Sequence, residues 1–257
     1  MLTSSRLGLA SRCLPELVAD PRIELVGLVL AETNTANKER LRRRKREKLR
    51  QIGLLGALNG IRIRSWYRVP QARDVVELAR EAGVPVHESP IINSDPTREI
   101  FREAAPDIAL SLGNSYIAPS VFTIPKFGML NIHMEVLPRF QGAQSVIWPI
   151  YEGIPRTGYS IHQIDKGIDT GALLRVREWE MEFGPNLRAT VERNIARGFD
   201  EIPADLCDVV ANYPEISAAA TVQASGGSYT TPSIGQFLRM HRNHARLARA
   251  RSAQSSR

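Results

Sequence analysis

Cysteine is nearly absent: of 257 residues only Cys13 and Cys207 are cysteines, and they lie far apart. That excludes a disulfide-stapled secreted scaffold, and two reduced, buried thiols in a cytoplasmic protein are expected. Long apolar runs are missing too. None approaches the roughly 18–20 residues that a membrane-spanning helix needs, so no membrane partner is expected. The N-terminal stretch MLTSSRLGLASRCL is too polar for the apolar core of a secretory leader. There is no Gly-x-x-x-x-Gly-Lys-Ser/Thr loop, no Gly-x-Gly-x-x-Gly fingerprint and no internal repeat, so neither a P-loop NTPase nor a dinucleotide-binding domain is indicated. Aromatic residues make up 6% of the chain, and Trp66, Trp148 and Trp179 are scattered, as core or pocket-wall residues would be.

What is present begins with charge. The net charge of +7 is unevenly spread. Residues 38–50 hold nine Lys/Arg and two Glu, and residues 239–257 hold six Arg and no acid. The rest of the chain is therefore net acidic, and the high isoelectric point says nothing about the body of the protein. The run at 38–50 reads either as a solvated helix face or as a contact for phosphate or another polyanion.

Along the chain, helical and strand patterns alternate. Leu7 to Val18 has helical spacing, with Pro15 an awkward interruption. Only Met1-Leu2-Thr3 precede it, so the first strand is either short or entered part-way along. Residues 23–30 read as a buried strand, 35–58 as one charged helix, and Asn59-Gly60 as a turn. Helix 70–82, strand 84–87, a helix capped at Asp95-Pro96-Thr97, strand 106–113, a short helix at 117–122 and strand 129–132 follow. This rhythm predicts an α/β fold: a mainly parallel twisted sheet with helices on both faces, the ligand site lying beyond the carboxyl ends of the strands. Residues 173–180 alternate as a half-exposed strand does. From 184 the pattern predicts a short, mostly helical C-terminal extension: a helical stretch over 186–212 interrupted by Pro203, a loop at 226–232, a basic helix over 233–250 and a disordered last seven residues. The expected division is a catalytic domain, 1–183, followed by the extension, 184–257.

The chemistry concentrates between Gly128 and Leu174. His133 sits where a strand becomes a loop, and its imidazole can exchange a proton near neutral pH. Asn131, two residues earlier, lies on the same face of the extended chain and can aim an N–H donor at the same oxygen. Asp169, between Gly167 and Gly171, is in a loop tight enough to return to the imidazole. An amide, an imidazole and a carboxylate so placed suit acyl transfer to a nucleophile. His162 could complete a two-His, one-carboxylate set with His133 and Asp169, but the spacing matches no helical ligand pair, and no metal is expected.

Three motifs in order, Asn131-x-His133, Leu137-Pro138-x-Phe140-x-Gly142 and Asp165-x-Gly167-x-Asp169-Thr170-Gly171, resemble the formyltransferase family that uses 10-formyltetrahydrofolate. That family includes glycinamide ribonucleotide, methionyl-tRNA and sugar-nucleotide formyltransferases. The likeness is dense over 105–175 and elsewhere rests on the α/β rhythm. It implies a Rossmann-like formyltransferase fold, with Asn131, His133 and Asp169 as catalytic residues. Asn131 and protonated His133 would stabilise the oxyanion, and Asp169 would set the ionisation of His133. It also implies a pterin held against Leu112, Gly113, Asn114 and Ser115 and against Ile164, Asp165 and Gly167. The acceptor would be the primary amine of a small metabolite, such as an amino-sugar nucleotide, or of methionyl-tRNA. A homodimer is compatible with this. Hydrolysis of the folate, or a non-catalytic nucleic-acid-binding role on the same scaffold, are the alternatives.

The departures from that pattern are informative. Met134-Glu135 stand where Pro-Ser is common, so Glu135 reads as a substrate contact or as an exposed loop carboxylate. Gln141 stands where Arg is common and is taken as a further substrate contact. The segment Thr3-Ser4-Ser5-Arg6-Leu7-Gly8 has one glycine where purine-pathway members have a Gly-rich phosphate loop, and leaves Ser4, Ser5 and Arg6 as the expected anion contacts. The 86 residues after Gly171 leave no room for the C-terminal β-domain of methionyl-tRNA formyltransferases, which weakens a tRNA partner. The basic segments 38–50 and 239–257 partly restore it.

Overall fold

Residues 28–31, 109–112 and 129–132 are almost uninterruptedly apolar, the pattern of strands covered on both faces. In the computed structural model, which describes residues 1–32, 38–67 and 72–255, each becomes part of a central sheet. The strands are β1 (Leu2–Thr3), β2 (Leu28–Ala31), β3 (Val86–Ser89), β4 (Ala109–Ser111), β5 (Met129–His133), β6 (Phe140–Gly142), β7 (Arg156–Gln163), β8 (Leu173–Glu180) and β9 (Gly227–Tyr229). Seven of them form one sheet in the order β3-β2-β1-β4-β5-β7-β8. The first five in that order run parallel, β7 is antiparallel to β5, and β8 is antiparallel to β7. β6 and β9 pair separately and in parallel.

Alternate residues of the strands feed two cores. Leu28, Leu110, Leu112, Leu130 and Ile132 pack on one face with the helices Leu9–Ala19 and Leu187–Ala211. Leu2, Val29, Ala109 and Met129 pack on the other with Ile92, Phe101, Val121 and Phe122. Helices on both faces of a mainly parallel sheet are the Rossmann-like α/β architecture expected from the rhythm. Among the described residues no helix is long and apolar enough to cross a membrane.

Several boundaries differ from the expectation for physical reasons. The run 23–30 is a strand only from Leu28, because β1 is two residues long and its register begins at Leu2 opposite Val29. Pro15 and Pro203 stay inside their helices. Each withholds an N–H from the carbonyl four residues back, and the buried faces around them (Cys13, Leu14 and Leu17; Ile202 and Leu206) outweigh that loss. Asn59-Gly60 is not a turn. The helix Lys38–Arg64 runs through it and breaks instead at Gly53, where φ is 69°. Gly60 is small for packing: a Cβ there would lie 2.4 Å from Thr231 Cγ2. The expected helix starts at 35 and 70 lie outside the described residues. The helical part of the latter spans Val75–Glu81, capped by the Asp74 carboxylate accepting from the Val76 N–H at 2.8 Å. The expected loop at 226–232 contains β9, and the last helix, Ile234–Ser255, reaches into the segment expected to be disordered.

The antiparallel edge is pinned to the long helix by an ionic cluster around the buried Asp205 carboxylate, with the Arg177 side chain half exposed. Tyr159 Oη on β7 donates to Asp205 at 2.7 Å, and Arg177 on β8 meets the same carboxylate at 2.6 and 2.8 Å. Trp179 Nε1–H donates to Asn194 at 3.1 Å. These contacts fix β7, and with it the strand face that carries His162.

Candidate active site

The carboxyl ends of β4 and β5 open into a cleft of about 540 Å³. Its walls come from Ser111 and the loop Gly113 to Ile117 after β4, from Asn131 to His133, from the loop after β7, and from Gly142-Ala143 beside Ser228 to Thr230. Parallel pairing of β4 with β5 sets Ser111 beside Asn131, and antiparallel pairing of β5 with β7 sets His162 opposite Asn131. Period-two alternation then turns Asn131 and His133 to the same side.

Four polar side chains meet at the base of this cleft. His133 Nε2 lies 2.6 Å from the Phe140 carbonyl, so that nitrogen carries the proton and donates. Its Nδ1 therefore faces Asp169 Oδ2, at 3.5 Å. Asp169 Oδ2 also accepts from the Gly142 N–H at 3.0 Å. His162 Nδ1–H donates to the Gln163 carbonyl at 2.7 Å, which leaves Nε2 as an acceptor for the Asn131 amide N–H at 3.2 Å. His162 is 2% exposed, and burial pushes its imidazole below the usual histidine range, consistent with a neutral ring. Asp169 Oδ1 stands 3.7 Å from His162 Nε2. The carboxylate thus lies between the two imidazoles, with Asn131 fixed by the neutral one.

The loop carrying Asp169 is built by Asp165, whose Oδ1 accepts from the Gly167 N–H at 2.9 Å and the Thr170 hydroxyl at 2.6 Å. Asp169 itself has φ of 55°, a left-handed conformation that aspartate tolerates better than most residues. Gln141 Nε2 and Gln223 Nε2 both donate to its carbonyl, at 3.3 and 3.0 Å. Gly142 has φ of 103°, and a Cβ there would stand 2.2 Å from the Tyr229 carbonyl oxygen. Gly142→Ala is therefore expected to part β6 from β9 and to lower the unfolding free energy by about 2 kcal/mol or more, measured by urea denaturation.

The structure brings Asn131, His133 and Asp169 together and places Gly113, Asn114, Ser115, Ile164, Asp165 and Gly167 on the cleft wall. Four readings need correction. Leu112 is not a wall residue: its side chain is 1% exposed in the core, and its carbonyl accepts from Thr3 Oγ1. Glu135 neither faces the cleft nor lies exposed. It is 1% exposed and accepts from Val136 N, Val146 N and Thr157 Oγ1 at 2.8–3.0 Å. The chain turns inward after His133, so Glu135 satisfies backbone donors that a loop carboxylate would have left to water. Gln141 reaches the cleft only through Asp169. Ser4 donates to the Gly113 carbonyl at 2.9 Å and Ser5 to that of Leu7, while Arg6 is paired with Asp74 and Glu88 at 2.9 and 3.6 Å. None of the three lines the cleft.

Sequence reasoning treated His162 only as a possible metal ligand. The signal was there, since Ser160 and His162 share one face of an alternating strand, but the pairing that sets His162 against Asn131 was not. The contribution of Ser228 to Thr230 had no local signal at all.

An amide donor, an imidazole and a carboxylate meeting in a cleft beyond the strand ends of a Rossmann-like α/β scaffold can together polarise a carbonyl and exchange a proton. The chain belongs to the formyl transferase family, whose model matches residues 63–197, just over half of it. The methionyl-tRNA formyltransferase of Thermosynechococcus vestitus is 32% identical over 147 residues, covering 56% of this chain and 43% of that protein. The chain thus spans less than half the length of that relative. Among solved structures, glycinamide ribonucleotide transformylase 1 from Symbiobacterium toebii superposes with a TM-score of 0.56 at 13% identity, over 88% of this chain and 90% of that one. An N-formyltransferase from Helicobacter canadensis, solved with folinic acid and dTDP-3-aminofucose, gives 0.51 at 14% identity, over 88% and 70%. These two similarities concern the fold.

Proposed function

We propose that this protein transfers the formyl group of 10-formyltetrahydrofolate to a primary amine. The observation that carries the reading is the meeting of Asn131, His133 and Asp169 at the base of one cleft. The cleft volume is within the range of small-molecule sites. In the proposed reaction the amine attacks the formyl carbon and a tetrahedral oxyanion forms. Asn131 donates an N–H to that oxygen. His133, protonated at Nδ1, supplies a positive charge beside it, and Asp169 balances that charge from 3.5 Å. The bond from carbon to the folate nitrogen then breaks, and the proton released by the amine moves to that nitrogen.

For the acceptor we propose a small amine of the amino-sugar nucleotide kind. Methionyl-tRNA is the second reading, supported by the exposed Arg43, Arg46 and Arg50 of the basic helix and by the curated relative's activity. Incubation with 10-formyltetrahydrofolate and an amine panel is expected to release tetrahydrofolate only when an acceptor is present. Release without amine would indicate hydrolysis, and no release with any acceptor would leave a binding protein. Charge reversal of Arg43, Arg46 and Arg50 is expected to leave small-amine turnover unchanged and to weaken a tRNA-dependent reaction at least about tenfold.

A further inference from the structure

Between β6 and the helix Ile147–Glu152 the backbone takes a shape that its residues resist. Gln144 has φ of 69°, and Val146 has φ of 68° with ψ of −46°. The Ile147 N–H donates to the Ser145 carbonyl at 2.8 Å. That bond closes a γ-turn of the positive-φ form, the rare and strained one of the two. Its central residue is a valine, whose branched Cβ makes positive φ costlier than for an unbranched residue. The Val146 side chain is buried in the core, so packing holds valine there against its backbone preference.

Side chains fix the segment in this shape. Tyr67 Oη, 78 residues back in the chain, donates to the Ser145 carbonyl at 2.7 Å. Glu135 Oε2 accepts from the Val146 N–H at 2.8 Å, and Trp148 Nε1–H donates to the Ala143 carbonyl at 3.1 Å. The same segment begins on the cleft wall. The Ala143 N–H donates to the Tyr229 carbonyl and the Gly142 N–H to Asp169 Oδ2, both at 3.0 Å. That carboxylate oxygen is the one that faces His133 Nδ1.

We propose that Tyr67 is a positioning residue for the reaction. Together with Glu135 it holds the strained turn, the turn places Gly142, and the Gly142 N–H sets the Asp169 carboxylate against His133. Its consequence for rate rests on the formyl-transfer reading above; the coupling of Tyr67 to the cleft wall does not. Strain is what selects this role over plain packing. A hydrogen bond serving stability alone would gain as much at an unstrained turn. Released, Val146 relaxes toward negative φ, a large rotation about one bond, and the chain leading back to Gly142 moves with it. A strained backbone held by surrounding contacts next to reacting groups is the pattern of pre-organisation.

The test uses the full chain and Tyr67→Phe, which removes one hydroxyl and keeps the ring. Hydrogen exchange measured by NMR in the free protein should speed at least about tenfold at the Gly142 amide and stay unchanged at that of Leu130, in the middle of the sheet. With 10-formyltetrahydrofolate and the best acceptor, kcat should fall about tenfold while both KM values hold within about twofold. Adding Val146→Gly relieves the strain, because glycine takes positive φ freely, but it also deletes a buried side chain. The double variant should therefore unfold at lower urea than Tyr67→Phe and yet recover rate by at least about threefold. A residue that only supports the fold gives the opposite, each loss of stability bringing a further loss of rate. Unchanged exchange at Gly142, an equal rise at Leu130, a loss confined to KM, or a double variant no faster than Tyr67→Phe would overturn the proposal. If no acceptor is formylated by the unsubstituted protein, the formyl-transfer reading fails, and exchange at Gly142 still decides whether Tyr67 holds the cleft wall.

Discussion

His133→Ala is expected to lower the rate of formyl transfer by at least about two orders of magnitude while leaving the fold intact. The ring is held at one nitrogen by the Phe140 carbonyl, at 2.6 Å, and turns the other toward Asp169. It is partly buried at a strand end, so alanine creates only a small void in a wall that already faces a cleft. The loss falls on the charge offered to the oxyanion, and removing one such group typically slows acyl transfer by 10² or more. Asn131→Ala removes the neighbouring donor and should cost a similar factor. Asp169→Asn keeps a side-chain oxygen for the Gly142 N–H and thus the loop, but removes the charge that balances an imidazolium; its effect should match that of His133→Ala. Steady-state rates with 10-formyltetrahydrofolate and the best acceptor decide this, beside urea denaturation of each variant. Full activity in His133→Ala would remove the assignment. A rate loss tracking a loss of stability would show that the residue supports the fold and not the chemistry.

Much of this was legible in the sequence, and what escaped follows a physical pattern. Strands buried on both faces announce themselves by composition alone, which is why 109–112 and 129–132 were readable, and with them the strand end that delivers Asn131 and His133. Loop position followed from glycine spacing around Asp169. What escaped depends on contacts between segments distant in the chain. His162 joins the cluster only because β7 runs antiparallel to β5 in one register. Tyr229 reaches the cleft only because β9 pairs with β6, its ring 4.8 Å from that of Trp148 and 5.5 Å from that of Phe140. Gly60 looked like a turn because local propensity was the only available guide, yet it is a contact surface for Thr231. Glu135 misled for the same reason, since nothing local says that a carboxylate two residues after the strand-end His133 will fold inward.

That inward carboxylate makes a second prediction of large size, in stability against pH. Glu135 ties together three elements: the turn after β5 through the Val136 N–H, the start of the helix Ile147–Glu152 through the Val146 N–H, and β7 through Thr157. Burial raises its carboxyl from 4.5 to about 7, against the pull of these donors toward the ionised form. The folded value is above the unfolded one. Between about pH 4.5 and 7 the native state therefore holds more protons than the unfolded chain, and stability falls as pH rises through that window. This contribution is complete below the unfolded value and gone above about 7, and amounts to as much as about 3 kcal/mol at 1.36 kcal/mol per unit. Glu135→Gln removes the titrating group. Its unfolding free energy in urea, measured at pH 5 and pH 8, should change by about 2 kcal/mol less than that of the unsubstituted protein, whose other titrating groups cancel in the comparison. An identical pH dependence in the two proteins would mean that the donors outweigh burial and Glu135 is ionised throughout. It would then be a fixed anion organising the wall beside His133, and its replacement by Gln should destabilise the protein equally at both pH values.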